Sequence, residues 1–221
     1  MIIAIDGPAA SGKSTTAQGV AQRLGIMYLN TGAMYRAITL GIVESGLDLE
    51  DIDAVQGFIA DTVIGFGENN QILLNGENVS AKVHSSAISD KVSAVSAVPD
   101  IRKAMVQVQR EIASENDCVL EGRDIGTVVF PEAKFKFFLV ADVAVRAARR
   151  MKDLEALGES CSLDELIKDI LKRDELDSTR SHSPLVRADD AIPIDTSHLT
   201  IDETIENILN KITKIKNEET S

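Results

Sequence analysis

Near its start the chain reads Gly7-Pro8-Ala9-Ala10-Ser11-Gly12-Lys13-Ser14-Thr15, of which Gly7 to Ser14 fit the spacing G-x-x-x-x-G-K-[ST]. In such a segment the glycines let successive backbone N–H groups curl around a phosphate, and the helix that follows aims its positive end at it. Lys13 is then the cation that reaches the β- and γ-phosphates, and Ser14 supplies the hydroxyl that holds Mg2+. With Gly at about 7% of residues, an accidental match arises in roughly one chain in a hundred of this length. A nucleoside triphosphate and Mg2+ are therefore expected at residues 7–15.

Two further clusters carry arginine. Arg173-Asp174-Glu175-Leu176-Asp177-Ser178-Thr179-Arg180 follows a helical stretch and precedes Ser183-Pro184. Its plain reading is a solvated charged helix end. Its functional reading is a mobile lid whose arginines fold over a transferring phosphoryl group, since the planar guanidinium donates to phosphate bidentately and keeps its charge. Gly122-Arg123-Asp124-Ile125-Gly126 follows an expected central strand, the place where ligands bind in an open α/β sheet.

The loop alone does not say what the triphosphate is for. A guanine-reading switch needs N-K-x-D after a strand, and the Asn210-Lys211 pair continues Ile-Thr inside a terminal helix. A motor would want an acidic pair closing the strand at Cys118-Val119-Leu120-Glu121, but Gly122-Arg123 follows. A kinase of a small molecule remains, with a nucleotide-binding switch that has no acceptor as the alternative from another class.

The elements that must position these residues alternate between strand and helix. Ile2 to Asp6 reads as a buried strand, and from Ser14 the apolar positions Ala17, Val20, Ala21 and Leu24 take helical spacing up to Gly25. A strand at 27–29, helices at 33–44 and within 47–61, and consecutive hairpins between 63 and 79 follow. Helical pattern returns after His84, and Pro99 opens a long helix. Strands are expected at 119–121, 135–140 and 191–195, and a helix at 142–157. Ser162 with Glu165 and Thr200 with Glu203 form capping boxes for two more helices, and residues 217–221 are expected to fray. The alternation implies an α/β fold, a mostly parallel sheet with helices on both faces and a small antiparallel insertion.

Lys and Arg number 23 against 35 Asp and Glu, a net charge of −12 in 221 residues. That balance argues against broad binding to nucleic acid, which needs a basic face. The two cysteines, Cys118 and Cys161, lie too far apart for a metal knuckle, and the three histidines have no ligand spacing, so no zinc is expected. No apolar run of about 18 residues suggests a membrane span. With no basic leader before the first strand, a cytoplasmic location is expected.

Together with Asn30-Thr31-Gly32-Ala33-Met34-Tyr35-Arg36, these clusters make residues 2–195 closely resemble the bacterial cytidylate kinases, nucleoside monophosphate kinases of the P-loop class. The resemblance implies ATP as phosphoryl donor, CMP and dCMP as acceptors, and a monomer. It implies a P-loop core of residues 1–30, 101–171 and 186–221, a CMP-binding region of 31–100 with its hairpin insertion at about 62–80, and a lid of 172–185. Arg36, Arg123 and Arg180 correspond to residues that grip the CMP phosphate, with Thr31 beside them. Ser93, Arg102 and Asp124 correspond to readers of the cytosine edge, Asp177 to the ribose ligand, and Arg173 to a lid arginine near the phosphates. Arg146 and Arg149 are candidates for packing the adenine. Asn30 stands where the family usually has Asp, so a charge-dependent role there is not expected to carry over.

Overall fold

The computed structural model describes residues 1–156 and 158–219. Two compact units emerge, one formed by residues 1–28 and 117–221 and the other by 29–116.

The first unit contains β1 (Ile2–Asp6) and α1 (Lys13–Leu24). Its later elements are β6 (Cys118–Gly122), β7 (Phe135–Val140), α6 (Val143–Ala156), α7 (Leu163–Thr179), β8 (Ile192–Asp195) and α8 (Ile201–Glu219). A five-stranded sheet runs β2-β6-β1-β7-β8, where β2 is Met27–Asn30. β1 pairs in parallel with β6 and β7, and β7 with β8. The continuous apolar run of β1 follows from its central place, with Ile3, Ala4 and Ile5 fully buried. Its side chains pack with Ala17 and Val20 of α1 and with Ile205, Ile208 and Ile212 of α8. This apolar body holds the end of β1, and so the loop after it, in place.

The second unit holds α2 (Thr31–Ser45), α3 (Ile52–Ala60), β3 (Ile64–Phe66), β4 (Ile72–Leu74), β5 (Glu77–Asn78), α4 (Ser86–Ala97) and α5 (Pro99–Ser114). Strands β3, β4 and β5 form the expected small antiparallel sheet. Helix α5 clusters with this unit, because Ile101 and Met105 pack into one core with Met34, Ile38 and Ile88. This unit therefore runs to residue 116.

Local chemistry accounts for the helix ends. Gly25 closes α1 in the left-handed conformation, its N–H returning to Ala21 and Gln22. Both expected capping boxes form, Ser162 with Glu165 on α7 and Thr200 with Glu203 on α8. The Asn30 side chain caps α2 by accepting from the Ala33 N–H at 2.9 Å. Asn and Asp cap helices equally well, so the departure from Asp keeps this structural role.

Helix α3 falls within the expected 47–61, starting at Ile52 because Asp51 accepts from the Ala54 N–H and fixes the cap there. One element differs from expectation. The Arg173–Arg180 cluster does not follow a helix. It lies in the last turns of α7, with Arg180 as its C-cap. No Gly or Pro interrupts 163–179, and Leu166 and Ile170 anchor the helix against Ala147 and Leu154 of α6. Leu157, expected to end α6, and residues 220–221 of the expected frayed tail lie outside the described residues. Among the described residues no helix is long and apolar enough to cross a membrane.

Candidate active site

The loop after β1 is built around backbone positions that side chains resist. Gly7 has φ 151°, and a Cβ there would lie 2.2 Å from the Leu139 carbonyl oxygen. Gly12, at φ 89°, is the left-handed N-cap of α1. Gly7→Ala is accordingly expected to cost about 2–3 kcal/mol through strain and overlap with β7, with loss of nucleotide binding. Urea denaturation checks this, and wild-type stability would contradict the geometry.

Within the loop Lys13 is buried, and its Nζ donates to the Pro8 carbonyl at 2.6 Å. Burial, with Arg123 adding like-charge repulsion, pushes the ammonium down to about 7. The Ser11 hydroxyl is fully buried and makes no hydrogen bond. A cationic loop with an unsatisfied hydroxyl and a helix N-terminus suits a phosphate.

Ser14 and Glu121 meet beside it. The Ser14 hydroxyl donates to Glu121 Oε1 at 2.7 Å, and Tyr28 donates to the same oxygen at 3.3 Å. Sequence reasoning set aside the end of β6 because Gly122-Arg123 does not match a motor. The pairing of β6 with β1 nevertheless brings its terminal carboxylate to the loop serine. The available signal was an acidic residue closing a buried strand. Ser14 and Glu121 are hard oxygen donors that fit Mg2+, which keeps most of its ligands as phosphate oxygens and water. Among the described residues, no group of three or more acidic, His or Cys side chains could hold a metal by itself.

Asp6, also missed, ends β1 and is buried. Its two oxygens accept from the Ile125 N–H at 2.9 Å and the Gly126 N–H at 2.7 Å. Burial raises its carboxyl to about 6, against the pull of these two amides.

Helix α7 brings the second cluster to the Gly122–Gly126 turn. Arg123 Nε donates to Asp177 Oδ2 at 2.8 Å, and Arg180 lies 3.9 Å from both Asp124 and Asp177. Arg180 Nε donates to the Ser183 carbonyl at 2.6 Å. Arg173 is half-buried, its Nε makes no hydrogen bond, and burial with the nearby Arg123 lowers its proton affinity. Around Asp177 burial alone would raise the carboxyl, but Arg123, Arg180 and Arg173 outweigh it and hold it below the usual carboxylate value.

Such a depressed group stabilises the fold above its unfolded pKa of about 4, and the contribution is lost as pH falls through the lower folded value. Asp177→Asn should therefore cost about 2 kcal/mol at pH 7, with the deficit shrinking below about pH 4. Denaturant titrations across that range check it, and a deficit that grows in acid would contradict the sign.

Two further arginines turn out to brace the loop. Arg146 Nη1 donates to the Ala9 carbonyl at 3.0 Å and to Asp174 Oδ2 at 2.5 Å, while Asp174 Oδ1 accepts from the Ala9 N–H at 3.2 Å. Arg149 donates to the Thr196 carbonyl at 2.6 Å and to the Ser11 carbonyl at 3.5 Å. Their guanidinium groups are thus engaged with the carbonyls of Ala9, Ser11 and Thr196, a bracing role that the sequence did not disclose.

The remaining expected residues belong to the second unit. Thr31, the first residue of α2, is buried. Arg36 donates to Ser89 Oγ at 2.8 Å and to the Val83 carbonyl at 3.3 Å. Arg102, buried on α5, donates to the Ser96 carbonyl at 3.0 Å and sits 5.3 Å over the Tyr35 ring. Ser93 lies half-buried on α4, its carbonyl accepting from the Ser96 hydroxyl at 3.1 Å. Tyr35 was quoted in the sequence only as part of the Asn30–Arg36 segment and was given no role, and its stacking on Arg102 has no local signal.

Comparison with known proteins converges on one group. A family model described as cytidylate kinase matches residues 3–214. The chain is 45% identical over 212 residues to the cytidylate kinase of Clostridioides difficile (strain 630), covering 96% of this chain and 98% of that one. It is 47% identical over 209 residues to the cytidylate kinase of Listeria monocytogenes serotype 4a (strain HCC23), covering 94% and 93%. In fold it is similar to the crystal structure of an uncharacterized protein from Eubacterium ventriosum ATCC 27560. That match has a TM-score of 0.53 and 14% identity over 97% of this chain and 98% of the other.

Proposed function

The chain belongs to the cytidylate kinase family, and from that membership we propose that it transfers the γ-phosphoryl group of ATP to CMP or dCMP. The products are ADP and CDP or dCDP. The observation that carries this reading is the gathering of Arg123, Arg173 and Arg180 around Asp177, in the unit that also holds the buried Lys13.

Two polyanions must meet for this reaction, so the chemical problem is repulsion. The acceptor is a phosphate oxygen whose second pKa is about 6, so it is ionised and nucleophilic at neutral pH. It attacks the γ-phosphorus as the bond to the β–γ bridging oxygen breaks, and ADP leaves. No side chain has to remove a proton. Positioning and charge neutralisation supply the rate, which suits Lys13 and the arginines. Ser14, with Glu121 behind it, would hold Mg2+; the bound ion supplies further neutralisation of phosphate charge.

Within this reading Arg36, Arg123 and Arg180 hold the acceptor phosphate beside Thr31. Ser93, Arg102 and Asp124 read the base, and Asp177 takes the ribose. Residues 172–185 act as the lid, with Arg173 near the phosphates, and closure keeps water from the γ-phosphoryl group. Asp124→Ala is expected to narrow the preference for CMP over UMP by about 10-fold, the loss of one good polar contact. An unchanged CMP/UMP ratio of kcat/KM would remove Asp124 from base reading.

The test of the function is coupled ADP release with CMP, dCMP, UMP, AMP and GMP. CMP and dCMP should lead by a wide margin. ADP release that ignores the identity of the monophosphate would overturn the proposal.

A further inference from the structure

Asp6 has no part in the scheme above, yet its geometry is the most demanding in the first unit. It closes the central strand of the sheet directly before Gly7, and it is only 5% exposed. A carboxylate so buried is costly unless both oxygens are satisfied. Here one oxygen accepts from the Ile125 N–H and the other from the Gly126 N–H. Only an acid-derived, acceptor-only group can face two adjacent N–H donors in this way, because an amide in its place turns an NH2 toward one of them.

Those two N–H groups begin the five-residue turn Ile125–Val129, whose far end is tied back by the Val128 and Val129 N–H groups donating to the Asp124 carbonyl. A Cβ on Gly126 would sit 3.4 Å from Asp6 Oδ2 and 3.2 Å from the Lys136 side chain, so the turn is packed from both sides. Immediately upstream, Arg123 reaches Asp177 and Asp124 reaches toward Arg180. One carboxylate therefore fixes the backbone from which both side chains project.

We propose that Asp6 is a positioning residue, whose bidentate hold on the Ile125 and Gly126 amides sets the orientation of Arg123 and Asp124 toward the acceptor nucleotide. This rests on the acceptor roles given to Arg123 and Asp124 above. It assigns Asp6 to acceptor selection and leaves donor binding to the neighbouring loop.

The isosteric variant Asp6→Asn tests it. Losing one charged hydrogen bond should lower kcat/KM for CMP by about 10-fold or more, and narrow the CMP/UMP ratio by several-fold. The Kd for ATP, from calorimetry, should change much less than kcat/KM for CMP, because the loop amides are untouched and only the charge attraction between Asp6 and Lys13 is lost on the donor side. A general loss of packing would lower CMP and UMP turnover and ATP binding together, and that result would overturn the proposal. Asp124→Ala measured in parallel separates two kinds of failure. If Asp124→Ala leaves the CMP/UMP ratio unchanged, the base-reading role itself is wrong. If it narrows the ratio and Asp6→Asn does not, only the role of Asp6 is wrong. The wild-type protein gives an independent readout should the variant fold poorly: the Ile125 and Gly126 amides should be strongly protected from hydrogen exchange, and free exchange at both would overturn the proposal.

Discussion

Lys13→Met should lower the rate of phosphoryl transfer by about 10³-fold or more, the largest effect of any single substitution considered. Lys13 is buried with its ammonium on the Pro8 carbonyl, inside the loop that would hold the triphosphate. Met preserves the length and apolar stem while removing the charge. The same burial that pushes the ammonium down to about 7 means that the folded protein gains little from this charge. The variant should thus keep its melting temperature, or gain slightly, while losing turnover. Steady-state CMP-dependent ADP production together with a thermal melt checks both halves. Appreciable activity in a folded Lys13→Met protein would contradict the role given to the loop.

Arg180→Ala is expected to reduce kcat by about 10²-fold with much less change in ATP affinity. Arg180 caps α7, its Nε is fixed by the Ser183 carbonyl, and its terminal nitrogens lie 3.9 Å from Asp124 and Asp177. A guanidinium held at the end of the proposed lid can meet a phosphate oxygen as the lid closes, which favours an interaction made late in the reaction. Pre-steady-state transfer compared with ATP calorimetry separates the two effects. A loss confined to ATP binding would assign Arg180 to the donor.

What the sequence disclosed and what it hid divide along a physical line. The loop from Gly7 to Ser14 is legible because its chemistry sits in consecutive residues, flanked by an apolar strand and an amphipathic helix. Capping boxes at Ser162 and Thr200, and the hairpins of the insertion, are equally local. Glu121 and Asp6 were hidden because their partners are remote. Ser14 is 107 residues from Glu121, and the amides of Ile125 and Gly126 are 119 and 120 residues from Asp6. Only the parallel pairing of β1 with β6 joins them. The bracing role of Arg146 and Arg149 was hidden for a related reason. The carbonyls of Ala9, Ser11 and Thr196 that they bond meet them only once α6 is packed. Asn30 gave the reverse lesson, since a cap asks for a side-chain oxygen and is indifferent to charge.

The most direct measurement is a single-turnover quench with ATP labelled at its γ-phosphate, run with and without CMP in the presence of Mg2+. The label should pass to the terminal phosphate of CDP, and ATP should persist when CMP is withheld. Release of the label as inorganic phosphate at one rate in both reactions would contradict transfer between two nucleotides.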